Sequence, residues 1–179
     1  MFEQITVEKE VFGSGENLLR CGNVMAMPQE IRALFSEYTQ MLVEADPGFR
    51  KYLDLQGYEQ ELARPEDKYA RPRGRLFLAE WEGRTAGCAA LRPLDPARCE
   101  LKRLYVRPAF RGRGIGRALT ERMLREAQAA GYRAMLLDTL PCLESALRLY
   151  RALGFREIPC YNDSPVEATI FMQRELNDL

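Results

Sequence analysis

The sequence of 179 residues contains no histidine. Histidine is the commonest general base near neutral pH and a common protein ligand of metal ions. Any proton transfer by this chain must therefore use Glu, Asp, Tyr, Cys or Lys side chains. We expect no metal site.

The cysteines are odd in number and lack the close pairing of a metal or redox site. The five cysteines show no Cys-x-x-Cys pair, which excludes the usual zinc and redox-dithiol patterns. We interpret them as reduced thiols, and a free cysteine usually behaves as a small buried apolar residue. The exception that we single out is Cys142, beside Pro141 and close to a predicted site. The other four positions are Cys21, Cys88, Cys99 and Cys160.

Long apolar runs are also missing. No stretch approaches the roughly 18 apolar residues of a membrane-spanning helix. The first residues, Met1 to Ile5, show neither the charged nor the apolar region of a secretory signal. We therefore expect no membrane association and a cytoplasmic location.

Neither sign of charge dominates the chain as a whole. It holds 26 basic and 26 acidic residues, and 46% of its residues are hydrophobic. This composition is typical of an ordinary soluble globular protein and argues against general nucleic-acid binding. The length suits one domain covering residues 1–179.

The most informative segment that is present is Arg111-Gly112-Arg113-Gly114-Ile115-Gly116. Glycines at alternate positions let backbone N–H groups turn inward, and a following helix adds the positive end of its dipole. The surrounding window, Leu101 to Thr120, holds six Lys and Arg residues and no acidic residue. We therefore expect a concentrated positive field here and a pyrophosphate as the bound group.

The order of elements around this turn predicts a mixed α/β fold. Periodicity indicates a helix from Pro28 and, after the glycine turn, two helices that end at Gly131 and Gly154. Alternating or apolar runs predict the strands Gln4–Val7, Arg75–Trp81, Arg84–Leu91, Cys99–Val106, Arg133–Asp138, Phe155–Ile158 and Ala168–Glu175.

Other glycine-turn motifs fit the segment less well. A dinucleotide fingerprint needs a sixth-position glycine, where Arg117 stands, and no Gly-Lys-Ser or Gly-Lys-Thr of a P-loop follows. A purely structural turn is the remaining alternative, and the six neighbouring cations argue against it.

With Arg111, Gly114 and Gly116 after a strand and before a helix, and with Leu149-Tyr150-Arg151-Ala152-Leu153-Gly154-Phe155 downstream, the chain resembles the GNAT (Gcn5-related) N-acetyltransferases. The resemblance implies a mixed, mostly antiparallel sheet, splayed at the acetyl-CoA strand, with helices on both faces and an acetyl-CoA-binding core at about residues 75–155. It assigns the cosubstrate to Leu104, Tyr105, Val106, Arg111, Gly112, Arg113, Gly114, Ile115, Gly116 and Arg117.

The resemblance also implies two catalytic roles. Tyr150 stands where many family members use a tyrosine as the general acid for the CoA sulfur; the alternative is a core aromatic side chain. Glu100 is the candidate general base, and its alternative is an exposed strand carboxylate paired with Lys102. Weaker candidates for the base are Glu80, Asp138 and Glu144.

The predicted reaction is direct acetyl transfer from acetyl-CoA to a primary amine in a ternary complex. Cys142 is the one nearby nucleophile and has no histidine to activate it. Tyr161 and Asn162 are candidate acceptor contacts, although an ordinary polar loop explains them equally well. The acceptor is a small molecule or a peptide amine, and a homodimer is compatible with the sequence. The rival hypotheses are a non-catalytic acyl-CoA-binding regulatory module and a basic patch that binds nucleic acid.

Overall fold

The computed structural model describes residues 8–11, 18–21, 28–55, 57–164 and 166–176. Their strands are β1 Glu8–Val11, β2 Leu18–Cys21, β3 Arg75–Trp81, β4 Arg84–Pro93, β5 Arg98–Val106, β6 Ala134–Thr139, β7 Arg156–Ile158 and β8 Ile170–Glu175. Their helices are α1 Pro28–Ala45, α2 Phe49–Leu55, α3 Tyr58–Ala63, α4 Glu66–Tyr69, α5 Ile115–Ala129 and α6 Glu144–Ala152, with a 3-10 turn at Pro108–Phe110.

The strands form one sheet in the order β1-β2-β3-β4-β5-β6-β8-β7. Neighbouring strands run antiparallel, except for the parallel pair of β5 and β6. The expected mixed, mostly antiparallel sheet is therefore confirmed. The strand predicted over Gln4–Val7 lies outside the described residues, and β1 and β2 had no clear signal in the sequence.

Helices cover both faces of the sheet, because strand side chains alternate between the faces. Phe77 of β3 packs with Leu119 and Met123 of α5 in one buried cluster. Its neighbour in sequence, Leu76, packs with Phe35 of α1 in a second cluster on the opposite face. Two apolar layers thus hold the sheet between α5–α6 and α1.

A bulge interrupts β5 where it pairs with β4. Ala90 pairs with Lys102 and Cys88 pairs with Tyr105, so two residues of β5 lie opposite Ala89. One of these two is Arg103, whose φ of 57° lies in the left-handed region that side chains seldom adopt. A bulge of this kind re-aims side chains and is common beside functional sites.

The sheet splays open beside this bulge. The parallel pairing of β5 with β6 covers Arg98 to Glu100 and Ala134 to Leu136, and it ends there. From Leu101 onward, the edge of β5 that faces β6 has no strand partner in the described part of the chain. The two strands diverge toward their carboxyl ends, so a gap opens within the sheet.

The free cysteines of the described residues differ in their burial. Cys88 and Cys99 are buried free thiols as expected, whereas Cys160 is exposed, like Cys142. Cys160 is therefore not the small buried residue that was expected. Its thiol lies 2.8 Å from the carbonyl oxygen of Asn162 in a loop. None of the described helices is long and apolar enough to cross a lipid bilayer.

Candidate active site

The predicted glycine turn connects β5 to α5 through a 3-10 turn. Gly112 and Gly114 have φ values of 75° and 78°, and Gly114 is the N-cap residue of α5. A Cβ atom at either position would meet nothing within 4 Å. The backbone conformation, and not a lack of space, is therefore what requires glycine here. The first N–H groups of α5 have no carbonyl partner within the helix.

A groove of about 600 Å³ begins at this turn and continues along β5 to α6. Its size lies within the usual range of small-molecule sites. Most of the predicted cosubstrate contacts line it, namely Leu104, Tyr105, Val106, Arg111, Gly112, Gly114, Ile115 and Gly116. Arg113 and Arg117 do not. Arg148 of α6 lines the groove and was missed, because nothing in the sequence places α6 beside the turn.

The positive charge of the segment from Leu101 to Thr120 is less concentrated than the sequence suggests. Four of its six cations form ion pairs: Lys102 with Asp138, Arg103 with Glu61 and Arg107 with Glu37, all from distant segments, and Arg117 with Glu121, one turn along α5. The expectation of a positive field from all six is therefore wrong, since local sequence does not reveal partners that folding brings in. Among the described residues, Arg111 and Arg113 have no acidic partner, and the guanidinium of Arg113 lies 5.1 Å from the Trp81 ring.

A second, smaller cavity of about 40 Å³ adjoins the groove in the splayed part of the sheet. Six residues line both spaces: Tyr38, Leu104, Asp138, Thr139, Leu143 and Tyr150. The two spaces therefore meet at these residues. The smaller cavity continues to Lys102 and Arg103 of the bulge.

Tyr150 of α6 lies at this junction. Its ring packs against Phe155 with ring centroids 5.7 Å apart, and only 6% of the residue is exposed. Its hydroxyl has no hydrogen-bond partner among the described residues. Burial raises the pKa of this phenol, and the nearby Tyr38 and Asp138 raise it further. Tyr150 is therefore a protonated donor that faces both spaces.

Tyr38 of α1 is a second phenol at the junction, and the sequence gave no signal for it beyond helical periodicity. Its ring lies 5.9 Å from the ring of Tyr105. Burial raises the pKa of Tyr38 to about 12, against the opposing effect of Arg103, and Asp138 contributes to the rise. Tyr38 therefore stays neutral between the groove and the smaller cavity.

The predicted base, Glu100, is fully buried and lines neither space. One of its oxygens accepts a hydrogen bond from Arg92, and the other accepts one from the Tyr161 hydroxyl at 2.6 Å. The Lys102 ammonium is 3.9 Å away. Glu100 is thus a member of a buried polar network behind the cavity.

Asp138 of β6 is the carboxylate that reaches both spaces. Its Oδ1 accepts a hydrogen bond from Lys102 Nζ at 3.1 Å, and its Oδ2 accepts one from Asn162 Nδ2 at 3.3 Å. The loop between β7 and β8 therefore places Tyr161 on Glu100 and Asn162 on Asp138. Neither loop residue lines the groove or the cavity, so both support the site through its carboxylates.

Arg103 brings a buried charge cluster to the other side of the cavity. Its Nε donates to Glu61 Oε1 at 2.6 Å, and the same carboxylate receives Lys68 and the Tyr69 hydroxyl at 2.7 and 2.8 Å. Burial by itself would raise the pKa of Glu61, but Arg103 and Lys68 lower it to about 2. The carboxylate is therefore ionised throughout the neutral range.

Comparisons with known proteins agree with this arrangement. The profile of the acetyltransferase (GNAT) family matches residues 31–155. An uncharacterized N-acetyltransferase of Schizosaccharomyces pombe is 36% identical over 160 residues, which cover 87% of this chain and 94% of the relative.

Solved structures show the same fold. A GNAT-family acetyltransferase of Staphylococcus aureus superposes with a TM-score of 0.70 at 20% identity, covering 89% of this chain and 99% of the other. A GNAT-family acetyltransferase of Elizabethkingia anophelis with acetyl-CoA bound gives a TM-score of 0.55 at 21% identity, covering 98% and 100%. The splayed sheet, the glycine turn, the family match and the relative together lead to one conclusion: the chain belongs to the acetyltransferase (GNAT) family and is an N-acetyltransferase.

Proposed function

We propose that this protein transfers an acetyl group from acetyl-CoA to a primary amine by direct attack in a ternary complex. The single observation that carries the proposal is the junction at Tyr150 and Asp138, where a long groove meets a smaller cavity. A proton donor and a proton acceptor lie at that junction, which suits a reaction with two proton transfers.

The groove fits acetyl-CoA in the chemistry of its lining. The N–H groups after Gly112 and Gly114 and the guanidinium of Arg111 suit a pyrophosphate. The unpaired edge of β5 at Leu104 to Val106 offers backbone donors and acceptors to an amide-containing chain. Acetyl-CoA would supply an activated thioester, which brings the acyl group to the junction.

Tyr150 is the proposed general acid. As the C–N bond forms and the C–S bond breaks, its phenol gives a proton to the departing thiolate. The raised pKa of Tyr150 keeps the phenol protonated before the transfer. Its hydroxyl has no described protein partner, so it is available to a group in the groove.

For the proton of the incoming ammonium we propose Asp138 as the acceptor, with Glu100 as the competing candidate. Asp138 lines the space in which an amine would lie, whereas Glu100 is enclosed by Arg92 and Tyr161. Asp138 also carries the negative charge that attracts an ammonium group. In this scheme Glu100 is a positioning residue that acts through Tyr161 and its loop.

Direct attack is favoured over an acyl-cysteine route. Cys142 is exposed and lines the groove, but no described side chain hydrogen-bonds to its thiol. A thiol needs a base or a lowered pKa to become an efficient nucleophile. Cys142→Ser is therefore expected to keep the activity.

The test is a CoA-release assay over a panel of amines, with acetyl-CoA binding measured by calorimetry. Release that depends on an amine, and that Cys142→Ser retains, is the expected result. Binding without release on any amine would instead favour the regulatory-module hypothesis. No acetyl-CoA binding at all would contradict the assignment of the groove.

A further inference from the structure

The bulge in β5 brings two consecutive cations to one cavity. In a regular strand Lys102 and Arg103 would point to opposite faces of the sheet. The left-handed φ of 57° at Arg103 breaks this alternation, and both residues line the smaller cavity. A residue with a side chain rarely takes this conformation, and where it does, strained backbone clusters at functional sites.

A buried polar cluster surrounds the guanidinium of Arg103. The Glu61 carboxylate is shared by the guanidinium of Arg103 and the ammonium of Lys68. The Tyr69 hydroxyl, which hydrogen-bonds to Glu61, adds no charge. Glu61 therefore divides its hydrogen bonds among Arg103, Lys68 and Tyr69. The exposed fractions of the Arg103 and Glu61 side chains are 3% and 1%, so bulk water screens this pair only weakly, whereas 27% of the Lys68 side chain is exposed.

One end of the Arg103 guanidinium is left without a partner. Its Nε is bound by Glu61, but its Nη2 is buried and has no hydrogen-bond partner. Its carbon lies 5.2 Å from the Tyr58 ring and 5.6 Å from the Phe35 ring, and neither ring can accept a full hydrogen bond. A buried donor without a partner is costly and rare, and it calls for an explanation.

We infer that the acceptor amine carries a carboxylate, as an amino acid does, and that the guanidinium of Arg103 binds this carboxylate. The inference rests on the proposed function, because it names the acceptor class for the same site. The amine would lie toward Asp138 and Tyr150, while the carboxylate would lie toward Arg103. A volume of about 40 Å³ admits about three water-sized groups, which suits a carboxylate and its α-carbon.

Arginine is well suited to this role. Its guanidinium is always charged, and its planar fork matches the geometry of a carboxylate. The same carboxylate would bring a second anion to a guanidinium whose one described carboxylate partner, Glu61, is shared with Lys68. Arg103 would then determine specificity, whereas Tyr150 and Asp138 would act on the reacting atoms.

The first test uses the wild-type enzyme with matched pairs of acceptors. Each pair is an amino acid and its carboxamide, for example L-alanine with L-alaninamide and L-aspartate with L-aspartic acid α-amide. We expect kcat/KM for CoA release to favour the free acid by roughly 10- to 100-fold, the range of one charge-assisted hydrogen-bonded contact. Equal use of acid and carboxamide would overturn the inference.

The second test removes the guanidinium. Arg103→Gln is expected to lower kcat/KM for the amino acid by a similar factor, mainly through KM, and to lower kcat/KM for the carboxamide much less. Because the single variant leaves Glu61 buried with one cation fewer, the double variant Arg103→Gln with Glu61→Gln is measured beside it. If both variants still preferred the free acid over the carboxamide, the inference would be overturned.

The matched control is Arg75→Gln. Arg75 is also a buried arginine in a short ion pair, with Glu126 at 2.5 Å, and it lines neither space. This variant loses a buried ion pair as well, but it should keep the wild-type preference for the free acid. A loss of preference in Arg75→Gln would show that the ratio reports general damage and would overturn the assignment to Arg103.

A binding measurement separates this inference from the proposed function. If no amine in the panel releases CoA, the proposed function fails. Calorimetric titration of L-alanine and L-alaninamide into the protein, with CoA present, then decides the inference. Binding of the acid that Arg103→Gln abolishes supports it, and equal or absent binding overturns it. If only amines that lack a carboxylate supported CoA release, the proposed function would stand and the inference would be overturned.

Discussion

The ammonium of Lys102 on β5 lies 3.1 Å from the carboxylate of Asp138 on β6, across the gap where the two strands have stopped pairing. The exposed fractions of the two side chains are 9% and 10%. The ion pair links the diverging strands and fixes the Asp138 carboxylate between the groove and the smaller cavity. Because this ion pair lies in the splayed part of the sheet, Asp138 becomes a stronger candidate for the general base than its position in the sequence suggests.

Asp138→Asn should lower kcat by about 10²-fold or more, the usual contribution of a general base. The substitution keeps the shape of the side chain but removes its negative charge. The variant should recover part of its activity as the pH rises, because more of the amine is then already neutral. Profiles of kcat and kcat/KM against pH for both proteins provide the measurement.

Glu100→Gln is the comparison for that prediction. Glu100 is fully buried and bound by Arg92 and Tyr161, so the variant should lose roughly 3 kcal/mol of unfolding free energy. It should nevertheless keep most of its kcat at temperatures where it is folded. If Glu100→Gln lost its catalysis and Asp138→Asn kept it, the two roles would be the reverse of those proposed.

Tyr150→Phe should lower kcat by about 10²-fold or more while leaving the Kd for acetyl-CoA nearly unchanged. The hydroxyl has no hydrogen-bond partner among the described residues, so the melting temperature should hardly change. Tyr132→Phe is the matched control, since the Tyr132 hydroxyl hydrogen-bonds to Arg73 away from the groove. That variant should lose about 1 kcal/mol of stability and no activity. Full activity in Tyr150→Phe would exclude the acid role.

Gly114→Ala should weaken acetyl-CoA binding about tenfold and lower the unfolding free energy by roughly 1 to 2 kcal/mol, because a φ of 78° strains any residue with a Cβ. Gly131 has a φ of 84° at the other end of α5, and there too a Cβ would meet nothing within 4 Å. Gly131→Ala should therefore lose similar stability without any change in Kd. Calorimetry with acetyl-CoA, combined with urea unfolding, measures both quantities. Equal Kd values in the two variants would remove the turn from the binding site.

The Glu61 cluster predicts a specific loss of stability in acid. The pKa of Glu61 is lowered from the ordinary 4.5 to about 2 in the folded protein. Stabilisation by the ionised carboxylate is therefore complete above pH 4.5 and is lost as the pH falls toward 2; it amounts to something on the order of 3 kcal/mol. Glu61→Gln should show a smaller decline of unfolding free energy over this interval.

The control for that measurement is Glu144→Gln. Glu144 is an exposed carboxylate, with 76% of its side chain accessible, and it pairs with Arg148 on the surface of α6. Its removal should leave the acid dependence as in the wild type. Urea unfolding at stepped pH values compares the three proteins. If the unfolding free energy of Glu61→Gln fell with pH as steeply as that of the wild type, other carboxylates would account for the acid sensitivity.

Much of the local structure was predictable because it depends on residues that are close in sequence. The boundaries predicted for the strand Arg75–Trp81 and for the helix ending before Gly131 agree with β3 and α5 within a few residues. Glycine at 112 and 114 is likewise a local requirement of a positive φ. These features follow from side-chain periodicity, turn chemistry and backbone sterics.

The catalytic candidates show where this local information stops. Tyr150 was predicted through the family pattern, and the structure places this residue at the junction of the two spaces. Glu100 and Asp138 are both strand carboxylates, and their sequence neighbours do not distinguish the enclosed one from the one that lines the cavity. Only the divergence of β5 and β6, together with the loop that carries Tyr161, separates them.

By itself, the sequence determined the element order from Arg75 onward, the glycine turn and the absence of histidine chemistry, because each depends on composition or on contacts between near neighbours. The tertiary structure decided which charged side chains are paired with one another and which can meet a substrate. Glu61 comes from a helix far along the chain from Arg103, and Asp138 lies on a different strand from Lys102. Ion pairing acts through space and not along the chain, so the one unpartnered nitrogen of Arg103 became visible only once the fold had brought these groups together.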